Sequence, residues 1–106
     1  MRQFTVHRNR NAATRTRYPL LLNIQTDLLA ELGTRVVVPM TPATVVARRA
    51  AMRTLTPVLV VDDKDYLLVI PQLAGIAARE LGPPVADLSA QRPAILAALD
   101  LLFTGI

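Results

Sequence analysis

The sequence has 106 residues, of which 52% are hydrophobic and none is cysteine. This length and composition predict one domain, residues 1–106, and exclude both a disulfide framework and a thiolate metal site, so a reducing cytoplasm is the expected compartment. No apolar run approaches the roughly 20 residues that cross a bilayer, which excludes a membrane-spanning helix. The net charge of +4 favours an acidic partner.

The basic charge is concentrated at the start of the chain. Five arginines fall in the first seventeen positions, without one acidic residue among them: Arg2, Arg8, Arg10, Arg15 and Arg17. A targeting peptide is one interpretation, but the following "YPLLLNI" is short and interrupted by Pro19 and Asn23, so we expect a basic surface loop instead. Nucleic acid is a weaker candidate partner than an acidic protein segment, because the chain has only four aromatic residues.

Five strands are predicted in chain order, which makes the class largely antiparallel β. "RQFTVH" and "YPLLLNI" form a hairpin across the mobile connection "RNRNAATRTR". After a short excursion, "QTDLLAELGT", the β-branched "RVVVPM" forms a third strand that stops at Pro39. "TPVLVV" and "YLLVI" form a second hairpin with "DDKD" as its loop. The segment 41–55 is ambiguous, since its alanines and arginines favour helix while its valines and threonines do not.

The end of the chain is the clearest helix. Pro83 and Pro84 predict a bend before it, Ser89 can cap its start, and Gly105 lies where a C-terminal cap is expected. The spacing of four apolar residues places them on one face: Ile95, Leu99, Leu102 and Ile106. Other apolar side chains lie off that face, and from Ala94 onward only Asp100 is charged. We therefore expect self-association or a partner protein to cover this helix.

The residues that could support catalysis are few. The single histidine, His7, is expected at the surface. Asp62, Asp63 and Asp65 are explained by turn formation, because with Lys64 among them and no glutamate after them they lack the calcium-loop pattern. Arg48, Arg49 and Arg53 are interpreted as a solvated basic face. No metal, cofactor or catalytic residue is predicted, and a nuclease based on arginine has no positive support in the sequence.

Several segments, read together and in order, resemble the CcdB family of toxin–antitoxin toxins. They are "QFTV", "NIQTDLL", "RVVVPM", "TPVLVV", "PVADLS" and the terminal "LLFTGI". The resemblance extends from Gln3 to Ile106. It implies a mainly β protein with one C-terminal α-helix: a homodimer of SH3-like barrels, each with an antiparallel sheet and a small protruding β region that would include 41–53. The two C-terminal helices would lie beside the dimer axis.

The resemblance also implies a function without catalysis. Such toxins bind the A subunit of DNA gyrase and trap its cleavage complex with DNA. An acidic CcdA-like antitoxin neutralises them, and the toxin associates with DNA only indirectly, through its complex with this antitoxin. The gyrase-contacting positions carry over onto Leu28, Leu29, Asp100, Phe103, Thr104, Gly105 and Ile106. Two of these depart from the family, because Asp100 replaces an asparagine and Thr104 replaces a tryptophan.

Two alternatives remain open from the sequence. The first is a weakly toxic or non-toxic homologue that binds antitoxin and acts in operon autoregulation. The second is an endoribonuclease toxin, since a similar fold carries messenger-RNA cleavage in a related toxin family. Loss of RNA cleavage on mutation of Arg17 or Arg49 would be needed to support it.

Overall fold

A computed structural model of the chain describes residues 2–50 and 55–105, and within that part the protein is mainly β. The strands are β1 (Thr5–Asn9), β2 (Leu20–Asn23), β3 (Thr34–Pro42), β4 (Val58–Val61), β5 (Lys64–Leu68), β6 (Ala74–Ala77) and β7 (Leu81–Asp87). The α-helices are α1 (Val45–Ala50) and α2 (Arg92–Thr104), and short 3-10 helices span Asp27–Leu29, Ile70–Gln72, Ala78–Glu80 and Ser89–Gln91.

The strands form one curled antiparallel sheet, a half-barrel. Their order is β4, β5, β3, β2, β1, β7, and β6 pairs with the first half of β3. The predicted class, mainly β with a C-terminal α-helix, is confirmed. No helix in the described ranges is both long enough and apolar enough to cross a membrane.

Strand β2 is buried on both faces and separates two apolar clusters. Because side chains alternate along a strand, Leu20 and Leu22 point into the main core with Ile95 of α2, whereas Leu21 joins Leu81 in a small cluster on the opposite face. The three consecutive leucines of β2 are therefore explained by burial of this strand on both faces of the sheet.

The first predicted hairpin is confirmed, with Val6 of β1 opposite Leu22 of β2. Its connection, residues 10–19, forms turns that several hydrogen bonds support. The buried Asn9 side chain donates from Nδ2 to Thr14 Oγ1 (3.0 Å) and to the carbonyl of Tyr18 (2.8 Å), and its Oδ1 accepts from the backbone N–H of Asn11 at 2.9 Å. One side chain thus holds the basic loop against β1.

Strand β3 does not stop at Pro39, as the sequence predicted, but continues to Pro42. Proline lacks the N–H that a strand interior needs. Pro39 lies between the residues that pair with β6, which end at Val37, and those that pair with β5, which begin at Met40. It therefore occupies a gap in the pairing on that side of β3.

The ambiguous segment contains a helix, so the β conformation implied for 41–53 is wrong over α1. Thr44 caps this helix by accepting the N–H of Ala47 at its Oγ1 (3.1 Å). Arg48 then forms an ion pair with Asp65 of β5 at 2.7 Å. The local helix propensity, supported by a threonine cap, prevails once β3 has ended. Arg53 lies outside the described residues.

The second hairpin turns on two residues, where the sequence predicted a four-residue loop. Asp62 and Asp63 both have positive φ, 50° and 62°, and Val61 pairs directly with Lys64. This is the type I′ geometry that suits the right-handed twist of a hairpin. Aspartate tolerates the left-handed region better than most residues, which confirms that turn formation accounts for this acidic stretch.

Pro83 and Pro84 lie within β7, where the pairing of this strand with β1 is irregular. Strand β7 is the last in the sheet order and pairs with β1 alone, with register shifts at both sides of His7. An edge strand tolerates proline because one row of its backbone groups has no partner to lose.

Gly82 brings β7 unusually close to β1. A Cβ at this position would lie 2.7 Å from the carbonyl oxygen of Arg8. The Gly82 carbonyl also accepts a hydrogen bond from Nδ1 of His7 at 3.0 Å, so the ring proton is on Nδ1. His7 is buried, contrary to the expected surface position, and its Nε2 has no hydrogen-bond partner within the described residues.

Helix α2 begins at Arg92, later than predicted. Ser89 opens a 3-10 helix instead of capping α2, and its N–H donates to Asp87 Oδ1 at 2.8 Å. The C-terminal prediction is confirmed, because Gly105 adopts φ 75° and donates to the carbonyl of Leu101 at 3.0 Å. Of the predicted apolar face, Ile95, Leu99 and Leu102 pack on the main core, whereas Ile106 lies outside the described residues.

Replacing Gly82 by alanine is expected to lower the free energy of unfolding by about 1–3 kcal/mol, because the added methyl group overlaps a backbone oxygen that cannot move aside. Gly75→Ala in β6 is the matched control, since nothing lies within 4 Å of its Cβ position. Urea denaturation of both variants measures the difference. Equal stability of the two would contradict the close approach.

Protonation of Asp87 should lower the stability of the folded protein in acid. Hydrogen bonds from the N–H and hydroxyl of Ser89 stabilise its carboxylate and hold the pKa of Asp87 below its ordinary value of 3.8. Because the folded pKa is lowered, this contribution is present above pH about 3.8 and disappears as pH falls through the folded pKa. In thermal melts, the Tm of the Asp87→Asn variant should lie below that of the parent at pH 6 and equal it near pH 2. A difference in Tm that stays constant with pH would contradict this role.

Candidate protein-binding site

The predicted contact residues lie on two exposed segments. One is the leucine turn, defined as residues 27–34, which begins with the 3-10 helix Asp27–Leu29. The other is the last turn of α2. Leu28 is 92% exposed and Phe103 is 69% exposed, whereas Leu29 is about half exposed. Large apolar side chains that remain in water on a small domain are typical of interaction surfaces.

Polar side chains hold the start of the leucine turn. Thr26 Oγ1 accepts from the N–H of Leu28 at 3.3 Å, and Asp27 Oδ1 accepts from the backbone N–H of Gln3 at 2.7 Å. Gln25 joins the turn to β3, because its Nε2 donates to the carbonyl of Leu29 (3.0 Å) while its Oε1 accepts from the N–H of Val36 (3.1 Å). The turn therefore has a defined shape although its leucines are exposed.

Arg35 supports the second half of the leucine turn from beneath. Its guanidinium donates to the carbonyls of Ala30 (2.6 Å), Thr34 (2.7 Å) and Leu32, and the residue is only 7% exposed. Arg35 was not among the residues predicted from the sequence to form the site. The available signal was its position, since it is the one charged residue at the start of a β-branched strand.

The end of α2 brings four of the remaining positions together. Thr104 Oγ1 donates to the carbonyl of Asp100 at 2.7 Å, so its hydroxyl is engaged within the helix. Phe103 projects beside them, and Gly105 closes the helix. The carboxylate of Asp100 is exposed. Ile106 lies outside the described residues.

The leucine turn and the end of α2 are both exposed to solvent. Within 2–50 and 55–105, no hydrogen bond joins them, and neither Leu28 nor Leu29 belongs to an apolar cluster of the core. They present to solvent the apolar side chains of Leu28, Leu29, Leu32 and Phe103, together with the exposed acidic residues Asp27, Glu31 and Asp100. Such surfaces can bind an apolar patch of another protein.

Arg35→Met should loosen the leucine turn and lower the free energy of unfolding by about 1–3 kcal/mol, because a guanidinium that serves three carbonyls is lost. Hydrogen exchange should accelerate in residues 28–34. Arg79→Met, which removes an exposed guanidinium from the helix Ala78–Glu80, is the control. Unchanged exchange in the turn of the Arg35 variant would contradict this role.

The comparison with known families agrees with the arrangement of these elements. The family model described as "CcdB protein" matches residues 3–105 of the 106-residue chain. All seven strands that the structure describes, the leucine turn and the whole of α2 therefore fall inside the match. Since the match spans almost the whole chain, this protein belongs to the CcdB family, whose members are the toxins of toxin–antitoxin systems.

Proposed function

We propose that this protein binds the A subunit of DNA gyrase through the leucine turn and the end of α2, and traps the complex in which DNA is cleaved. The exposure of Leu28 and Phe103, two large apolar side chains at the gyrase-contacting positions implied by the family, carries this proposal. Burying one such side chain contributes about 1.5–3 kcal/mol. Two such side chains can supply a substantial part of the binding free energy of an interface.

The mechanism requires no covalent step by the toxin. A protein that binds the cleaved state of gyrase more tightly than the resealed state shifts the population toward cleaved DNA. The size of the shift depends only on the difference between the two affinities. A shape-defined turn favours such selectivity, because little conformational entropy is lost when its leucines are bound.

A homodimer would present both surfaces twice. On α2, Leu101 and Leu102 remain half-buried, and the helix has no charged side chain between Ala94 and Leu99. A second copy of the chain packed beside α2 would cover this surface and bring two Phe103 side chains to one end of the assembly. Simultaneous contact through two identical ends raises the overall affinity without any new type of contact.

Two residues are expected to make the gyrase contact weaker than in relatives that have tryptophan. Thr104 offers no aromatic ring, and its hydroxyl already donates within the helix. Loss of an aromatic anchor typically costs about 2–4 kcal/mol, or roughly 30- to 1000-fold in affinity. Asp100 adds an exposed negative charge beside it.

A second candidate function follows from Thr104. With the anchor position occupied by a residue that is satisfied inside its own helix, the protein can serve as a non-poisoning homologue that binds antitoxin and takes part in operon autoregulation. The arginine-rich segment before Asp27, which has no acidic residue, complements an acidic antitoxin that folds on binding.

Thr104→Trp separates the two candidates. If the end of α2 contacts gyrase, the variant should trap cleaved DNA at a concentration roughly 30-fold or more below that of the parent, because it restores the aromatic anchor. Ala94→Trp is the control: it adds the same ring at an exposed position ten residues away, about 15 Å along α2. Gyrase-dependent DNA cleavage by purified proteins is the measurement.

Equal potency of the two tryptophan variants would remove Thr104 from the contact surface. If no variant traps cleaved DNA at high micromolar concentration, and immobilised toxin retains no gyrase A subunit, the poison function fails. Tight binding of an acidic antitoxin by the same preparation would then support the autoregulatory homologue.

A further inference from the structure

A cavity lies on the face of the sheet opposite α2. Its volume is about 220 Å³, and it opens between the β1–β2 connection and β6. The floor is apolar, with Leu21 of β2 and Ile76 of β6. The walls carry polar side chains from three parts of the chain: Asn11, Thr14, Tyr18, Gln72 and Glu80. Neither the leucine turn nor the end of α2 contributes to it.

The wall formed by the β1–β2 connection is preorganised. Besides the hydrogen bonds of Asn9, the N–H groups of Thr14 and Arg15 both donate to the carbonyl of Asn11, at 3.1 and 2.9 Å. The N–H of Tyr18 donates to the carbonyl of Thr14 at 2.8 Å. These turns fix the cavity wall before any ligand arrives, which reduces the entropy cost of binding.

Arg17 brings positive charge to the rim of the cavity, because its side chain lies over Tyr18, which is a lining residue. Arg10 and Arg15 also flank lining residues in the sequence and are exposed. Among the residues that the structure describes, none of these three arginines forms an ion pair. The Arg17 guanidinium lies over the Tyr18 ring, 5.3 Å from its centre. A ligand with a phosphate group would complement this rim.

The interior distinguishes a nucleotide from an acidic peptide. The Glu80 carboxylate would repel an aspartate or glutamate side chain, whereas it accepts hydrogen bonds from a base with N–H donors. Guanine presents such donors on one edge, and the Gln72 amide can serve its remaining acceptors. The apolar floor and the Tyr18 ring suit a planar base, and the volume is below the roughly 300 Å³ typical of pockets for larger ligands.

We infer that this cavity binds a guanine nucleotide, with the base against Tyr18 and Glu80 and the phosphate toward Arg15 and Arg17. The ligand can be a free nucleotide or an unpaired guanosine in single-stranded RNA, since both present the same base and phosphate. This site lies apart from the proposed gyrase contacts and does not depend on them.

Calorimetric titration of the full chain with GMP tests the site, with UMP, guanosine and inorganic phosphate as comparison ligands. GMP should bind at least 10-fold more tightly than each of the other three. Arg17→Gln should weaken GMP binding about 10-fold or more, because a charge-assisted hydrogen bond is lost. Arg49→Gln removes the same charge from α1, outside the cavity, and should leave GMP affinity unchanged.

Glu80→Gln should reduce the preference for GMP over UMP while thermal melting remains cooperative. A five-nucleotide RNA with one central guanosine then identifies the source: tighter binding of the RNA supports an RNA ligand, and equal binding supports a free nucleotide. The inference is overturned if GMP does not bind at millimolar concentration, if GMP and UMP bind equally, or if the Arg17 and Arg49 variants lose affinity equally.

Discussion

Strand β3 pairs with three other strands, and the positions of the remaining elements depend on that pairing. One side of β3 is bonded to β2, while the other side is bonded first to β6 and then to β5. Because side chains alternate along β3, Val38 and Met40 lie in the main core and Val37 lies in the small cluster on the opposite face. A shift of one residue would exchange these faces and leave α2 without its apolar support.

The strands with a strong apolar pattern were predictable, and those formed by small residues or proline were not. Alternation and β-branched residues marked β1 to β5, because such side chains suit a half-buried pleated surface. Strands β6 and β7 contain Gly75, Gly82 and two prolines, which have low strand propensity. Both strands exist because β3 and β1 offer them backbone partners, and that information is not local. The burial of His7 follows from the same pairing with β7.

The contact residues of the site came from family resemblance, whereas the geometry that supports them did not. Exposure of Leu28 has no signature in the sequence, since leucines are usually buried. The role of Arg35 could not be predicted either, because its side chain donates to backbone carbonyls, which every residue has whatever its type. The cavity opposite α2 combines residues from positions 9 to 80, so only the folded chain brings them together.

The leucine turn is held through backbone carbonyls, and the side chains of Leu28 and Leu29 take no part in holding it. Its shape is therefore separable from its chemical surface. Mutations can exchange one apolar contact for another, or for a polar one, at little cost to folding, while Arg35 and Gln25 keep the backbone in place. A toxin built in this way can follow changes in its target, or lose affinity for it, by substitutions at exposed positions alone.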